Sequence, residues 1–241
     1  MRENHNRFRI SFQEYVRMRT KAEQLLLLHG AKSCASGSIV GRNLVLTANH
    51  AVTKHESAKI FYKDIVLDAA ILKRMPEIDV MILKINDSAL VGELPSLQFG
   101  FSEAVLGERV YSVGYPLPFV INCSPLFYSH DVTRLKVDIK PHFLQIQSQI
   151  SSGCSGMVVV NDRLEIVGVV TSKAGDIRSV TLPSDWGFAT KSQYFKNSIQ
   201  KYLSPTHRRS KAQPPQVIAQ VMQDTSVMVL ACENKTKLDK Y

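Results

Sequence analysis

Three residues of this chain have side chains that together can transfer an acyl group. His50 stands in "NLVLTANHAV", on a small-residue turn just after an apolar run. Asp79 follows 29 residues later in "EIDVMILKI", directly before another apolar run. Ser155 comes 76 residues after that, in "SSGCSGMVVV". Acyl transfer needs a hydroxyl made nucleophilic by a neighbouring base, and a carboxylate that fixes the tautomer of the base and stabilises its cation. Each residue alone has an ordinary reading. A histidine after a strand is usually structural, an acid at a strand entrance usually caps a turn, and Gly-X-Ser-Gly is common by chance. The combination is more informative than its parts. Cys154, next to Ser155, is a second candidate nucleophile at this point.

The elements that must position these residues are short and β-rich. From residue 36 on, runs such as "GSIV", "NLVLTA", "KIFY", "IVLDAAIL", "VMILKI", "RVYSVGYP", "FLQIQSQI", "MVVV", "IVGVVTS" and "WGFAT" alternate with Gly, Asn, Asp and Pro. That spacing predicts a sandwich or barrel, an all-β class, and not alternating βαβ units. Before them, "ISFQEYVRMRTKAEQLLLLHG" reads as a helix, with Ser11 and Glu14 at capping-box spacing and Gly30 as its stop. "LLLL" at 25–28 is equally able to open the first strand. "SQYFKNSIQKYL" (192–203) has helical spacing, and "SPTHRRSKAQPPQ" (204–216) reads as an exposed linker. "VIAQVMQDTSVMVLAC" (217–232) is apolar but interrupted, and is expected to dock as a strand or helix on the barrel or on another subunit. The expected organisation is a basic N-terminal segment at 1–33, a two-barrel domain at 34–203, a linker at 204–216 and a docking segment or tail at 217–241.

Composition narrows the class. At 241 residues, with 44% hydrophobic and 21% charged residues, the chain can bury a full core. No stretch reaches the ~18 uninterrupted apolar residues of a membrane span. The net charge of +9 resides in the ends, since residues 1–32 and 201–241 each carry 7 basic and 3 acidic residues. Such ends read as solubilising tails, and no aromatic-interleaved basic motif points to specific nucleic-acid readout. The four cysteines (Cys34, Cys123, Cys154, Cys232) are widely and irregularly spaced, and no CxxC pair suggests zinc. With no apolar leader in "MRENHNRFRISFQEYVRMRT", they predict reduced thiols in the cytoplasm or another reducing compartment, with export by a signal-independent route left open.

The chain order His…Asp…Ser, each residue in its own strand-linked context, is that of a chymotrypsin-type double barrel. An α/β-hydrolase would run Ser…Asp…His, with its serine on a strand-to-helix elbow. Here Met157 and the "VVV" after it favour a strand.

Over about residues 34–200 the chain resembles trypsin-like serine proteases, nearest to the HtrA/Deg type. "GSIVGRNLVLTANHAV" is similar to the family's histidine segment and "IDVMILKI" to its aspartate segment. "LPSLQFGFSEAVLGERVYSVGYP" and "LQIQSQISSGCSGMVVVNDRLEIVGVVTS" follow in the family's order, and "WGFAT" resembles its late strand. The resemblance implies a chymotrypsin-like double β-barrel and a serine endopeptidase acting on proteins or peptides. His50 would be general base and then acid, Asp79 its orienting partner and Ser155 the nucleophile. The backbone N–H groups of Gly153 and Ser155 would form the oxyanion hole, and Cys154 would be a bystander. Ile150 and the strand Val169, Val170, Thr171, Ser172 would line the primary pocket. No acid stands at the expected pocket base, so cleavage after small or medium apolar residues is expected. No metal or organic cofactor is implied, and a homo-oligomer is possible in this family. Met157 and Val158 depart from the family's glycine and proline, which opens the alternative of a weakly active or inactive binding or scaffold module. With about 40 residues after the expected barrels, the PDZ domain of HtrA-type proteases is not expected in this sequence.

Overall fold

The computed structural model describes residues 11, 13, 17, 19–53, 56–86, 94–97, 100–117, 123–137, 140–173, 185–203 and 211–233. Helix α1, Lys21–His29, opens on a reciprocal capping box between Thr20 and Glu23 and stops at Gly30 in the left-handed region. Gln13 and Arg17 are helical too, within the stretch expected to follow Ser11, and α1 opens separately after Thr20. Thr20-x-x-Glu23 repeats the pattern of Ser11-x-x-Glu14, and "LLLL" belongs to the helix. Glu14 lies outside the described residues.

Twelve strands follow among the described residues: β1 Ala31–Ile39, β2 Leu44–Ala48, β3 Glu56–Tyr62, β4 Ile65–Met75, β5 Val80–Ile85, β6 Arg109–Gly114, β7 Leu126–Arg134, β8 Phe143–Gln147, β9 Val158–Val160, β10 Ile166–Lys173, β11 Trp186–Lys191 and β12 Ser226–Glu233. They close two barrels, β1-β12-β3-β4-β5-β2 and β10-β11-β8-β7-β6-β9. The protein is thus a chymotrypsin-like double β-barrel, with α1, α2 (Lys196–Gln200) and α3 (Pro215–Thr225) outside the sheets. The Lys63-Asp64 pair between β3 and β4 takes positive φ at both residues, the signature of a two-residue hairpin turn whose twist matches the strands.

The first barrel is closed by its most distant strand. β12 lies between β1 and β3 and pairs antiparallel with both, Cys34 opposite Leu230 and Val229 opposite Ile60. Val227, Val229 and Ala231 face the barrel interior with Ile39, Val45, Ile60 and Leu83, while Met228, Leu230 and Cys232 pack outside with Leu25 and Phe61. α3 starts with Pro at its first turn, where a missing N–H costs nothing. Its Ile218 and Met222 enter the cluster shared by the two barrels, with Leu46, Ile82, Val113 and Val158. The 217–232 segment is therefore a helix followed by a barrel strand.

The second barrel buries a polar pair. His130 on β7 is 2% exposed, with Nε2 2.7 Å from Ser112 Oγ on β6 and its ring stacked on Tyr128. Burial holds its pKa down to about 4 from the usual 6.5. Between those values the unfolded chain binds a proton that the folded one does not. Stability contributed by this site is therefore complete above about pH 6.5 and declines as pH falls to about 4, by roughly 3 kcal/mol. Urea titrations at pH 7 and pH 5 should show a smaller loss in His130→Phe than in the wild type. Equal losses would remove His130 as the cause.

Candidate active site

The aspartate turn comes from the end of β4. After a 3-10 turn at Pro76–Ile78, Asp79 adopts φ 54° and ψ 44°, a left-handed conformation that Asp tolerates better than most residues. Its carbonyl accepts the Asn49 N–H at 3.1 Å. Thr190 Oγ1 on β11 donates to Ile78 O at 2.6 Å, so the second barrel fixes the residue just before it.

His50 sits in the 3-10 turn Asn49–Ala51 at the end of β2. Asp79 holds it twice: Oδ1 accepts the His50 backbone N–H at 2.9 Å, and Oδ2 lies 2.7 Å from Nδ1. A carboxylate there only accepts, so Nδ1 carries the proton and Nε2 keeps a lone pair in the neutral ring. Arg74 on β4 clamps the same turn from behind. Its guanidinium donates to Asn49 Oδ1 at 3.2 Å, to Val52 O at 2.7 Å and to Thr53 O at 2.9 Å. This residue was missed from sequence, because its partners are mostly backbone carbonyls 21–25 residues away and leave no pattern of residue types.

Ser155 lies on two successive turns. Cys154 N–H donates to Ser151 O at 3.1 Å with Gly153 at φ +92°, and Met157 N–H donates to Cys154 O at 3.1 Å with Gly156 at φ +88°. A positive φ confined to the third residue of each turn marks type II, which favours glycine there. Gly156 has a second constraint, since a Cβ would fall 2.0 Å from Ser36 O and 2.4 Å from Thr47 Oγ1. This contact presses the loop onto the end of β2, beside the turn that carries His50.

The main-chain groups of this loop can be assigned one by one. Ser152 O accepts from Leu117 N–H at 2.7 Å, Gly153 O from Ser36 Oγ at 2.7 Å, Cys154 O from Met157 N–H, and Ser155 O from Ser36 N–H at 2.7 Å. Cys154 N–H goes to Ser151 O and Gly156 N–H to Val170 O at 2.7 Å. Four N–H groups are left over among the described residues: those of half-buried Ser151 and exposed Ser152, which face solvent, and those of Gly153 and Ser155. Among the described residues, the N–H groups of Gly153 and Ser155 donate to nothing, although Gly153 is buried. Buried backbone donors are almost always paired, so the orphan at Gly153, with a second free donor at Ser155 beside it, calls for an acceptor from outside. Ser155 is half-buried, and its Oγ makes no hydrogen bond among the described residues.

Cys154 turns the other way. It is fully buried in the second barrel, near Tyr128 Oη and Ser151 Oγ. Met157 is also fully buried and lies across Gly114, where a Cβ would meet its Cγ at 2.4 Å. Its thioether fills space that Gly114 leaves open. The expected pocket residues are differently placed. Val169 and Val170 are wholly buried and Thr171 is 1% exposed, so an open pocket could meet only their main chain. Ile150 packs on Gly187 and lines a cavity of about 610 Å3 with Leu117, Leu126 and Tyr128. The side chain of Ser172 lies outside the described residues.

A family described as trypsin-like peptidase domain matches residues 35–169. A probable periplasmic serine endoprotease, DegP-like, of Pseudomonas putida is 30% identical over 142 residues, 58% of this chain and 29% of the relative. The chain spans less than a third of the length of the curated relatives it matches. Among solved structures, the MamO protease domain of Magnetospirillum magneticum superposes with a TM-score of 0.52 at 23% identity, covering 68% of this chain and 87% of that one. The active form of the Rv3671c protease of M. tuberculosis gives 0.56 at 19% identity, covering 75% of each. At these identities the structural likeness speaks for the fold.

The DegP-like relatives overturn the expectation of a cytoplasmic or other reducing compartment, since they are named as periplasmic. The cysteines misled for a physical reason. Cys123, Cys154 and Cys232 are buried, and burial pushes the Cys34 thiol up to about 12. A buried thiol that resists ionisation is a poor nucleophile for disulfide exchange, so cysteines outside disulfides do not report the compartment.

Proposed function

Because the chain belongs to the trypsin-like peptidase domain family, we propose that it is a serine endopeptidase working through His50, Asp79 and Ser155 by way of an acyl-enzyme. The observation that carries this reading is the pair of uncommitted N–H groups at Gly153 and Ser155, flanking the Ser155 side chain. Donors fixed in advance where negative charge develops are the largest single contribution to many acyl transfers.

Ser155 Oγ attacks the carbonyl carbon of the scissile peptide while His50 Nε2 takes its proton. The resulting oxyanion accepts from Gly153 and Ser155, and the imidazolium is stabilised by Asp79 Oδ2 at 2.7 Å from Nδ1. His50 then gives the proton to the leaving amine, and water releases the acyl group by the same steps. Hydrogen bonds between nucleophile and base are often long or absent without substrate and tighten in the complex, which fits the unbonded Ser155 Oγ. Cleavage after small or medium apolar residues follows from the absence of an acid at Gln149 and Ile150. The names of the relatives favour an extracytoplasmic protein substrate.

Labelling with a serine-directed fluorophosphonate tests the assignment. Wild type and Cys154→Ala should label, and Ser155→Ala should not. Labelling that persists in Ser155→Ala and disappears in Cys154→Ala would transfer the role to the thiol. A folded wild type that never labels would point to a protease fold used for binding.

A further inference from the structure

Resting on that reading, we propose that Ser36 is a positioning residue for the hydrolysis: its hydroxyl holds the 151–154 turn in the conformation that presents the Gly153 N–H. Type I and type II turns differ by a rotation of about 180° of their central peptide. In the 151–154 turn that peptide joins Ser152 to Gly153. Its rotation would withdraw the Gly153 N–H and bring Ser152 O into its place. Gly153 has no Cβ to resist such a rotation.

The direct restraint on this peptide is the Leu117 N–H on Ser152 O, at 2.7 Å. Leu117 itself has φ +42°, a region that strains a residue with a Cβ. That clamp therefore needs support, and Ser36 supplies it from two sides. Its Oγ donates to Gly153 O at 2.7 Å, fixing the next peptide along the turn. The same Oγ accepts the Tyr115 N–H at 2.8 Å, which ties down the segment leading to Leu117. Its backbone N–H binds Ser155 O, and Thr47 Oγ1 holds Ser36 O at 2.7 Å. One residue of β1, in the first barrel, thus bridges both turns of the second-barrel loop and the strand exit beside it.

Water cannot take over the task. Ser36 is wholly buried, and a Cβ placed on Gly114 would lie 2.4 Å from its Oγ and the same distance from Met157 Cγ. Removing the hydroxyl leaves Gly153 O and Tyr115 N–H without a partner in a site closed to solvent. Rotation of the turn is one way to relieve them.

Steady-state kinetics on Ser36→Ala should show kcat lower by about 10–100-fold with KM within about threefold, because a donor used only in the transition state is lost. Affinity for a peptide boronic acid, which forms a tetrahedral adduct with the serine, should weaken by the factor lost in kcat/KM. Ser36→Cys keeps a weak donor and should fall between the two, and it carries the same measurements if Ser36→Ala does not fold. A crystal structure of the variant should show Gly153 leaving φ +92° and Ser152 O released from Leu117. An unchanged kcat in a folded variant of lower melting temperature would overturn the proposal, as would an unaltered Gly153. If the wild type itself fails to label with fluorophosphonate, the peptidase reading fails. The crystal structure then still decides whether Ser36 governs the turn.

Discussion

Asp79→Asn is expected to lower kcat by on the order of 10⁴ while leaving KM and the melting temperature nearly unchanged. The reason lies in the two bonds that the carboxylate makes. Oδ1 accepts the His50 backbone N–H, which can only donate, and Oδ2 faces Nδ1. An asparagine must keep its oxygen on the backbone donor, so its amide nitrogen lands opposite Nδ1. That nitrogen donates, and the imidazole must then accept at Nδ1 and carry its proton on Nε2. The base is present, well placed, and protonated at the wrong atom. Single-turnover acylation of an ester substrate reads this directly. A rate within about tenfold of the wild type would mean that Asp79 positions the turn and does not set the tautomer.

Deletion of residues 226–241 is expected to abolish cooperative unfolding altogether. β12 supplies Val227, Met228, Val229, Leu230, Ala231 and Cys232, all at most 2% exposed. Burying a Val, Leu or Met side chain contributes about 1.5–3 kcal/mol, so the four largest account for roughly 6–12 kcal/mol. That is comparable with the 5–15 kcal/mol of a whole domain. The deletion also leaves β1 and β3 as open edges, which invite pairing with other chains. A thermal melt followed by circular dichroism would show a broad, non-cooperative slope together with aggregation. A truncated protein that melts sharply near the wild-type temperature would show that β1 and β3 close on each other without β12.

The sequence made His50, Asp79 and Ser155 readable because each stands at the end of an apolar run, with turn residues beside it and in a distinctive order. The double barrel was readable for the same reason, through its strands of buried residues. β7 was not, because its exposed residues such as Leu126, Phe127 and Arg134 break the alternation that marks a half-buried strand. The split of 217–232 into helix and strand was also hidden. No Gly or Pro separates Thr225 from Ser226, and the partners of β12 lie almost 200 residues earlier. Met157 looked like a defect next to the candidate nucleophile. It is a core residue whose space comes from Gly114, and a pairing of that kind is invisible in one sequence. Ser36 and Arg74 hold the site through main-chain atoms, which every residue has and no motif records.

The place of β12 also sets a clock. Domains begin to fold during synthesis, at about 5–20 residues per second, as their segments leave the ribosome. Here the barrel that carries His50 and Asp79 cannot close until residues 226–233 have been made, although all three candidate catalytic residues were finished at residue 155. A nascent or prematurely terminated chain therefore holds the chemistry without the frame to aim it. On the peptidase reading proposed above, hydrolysis would begin only once the finished barrel holds His50 and Asp79 in place.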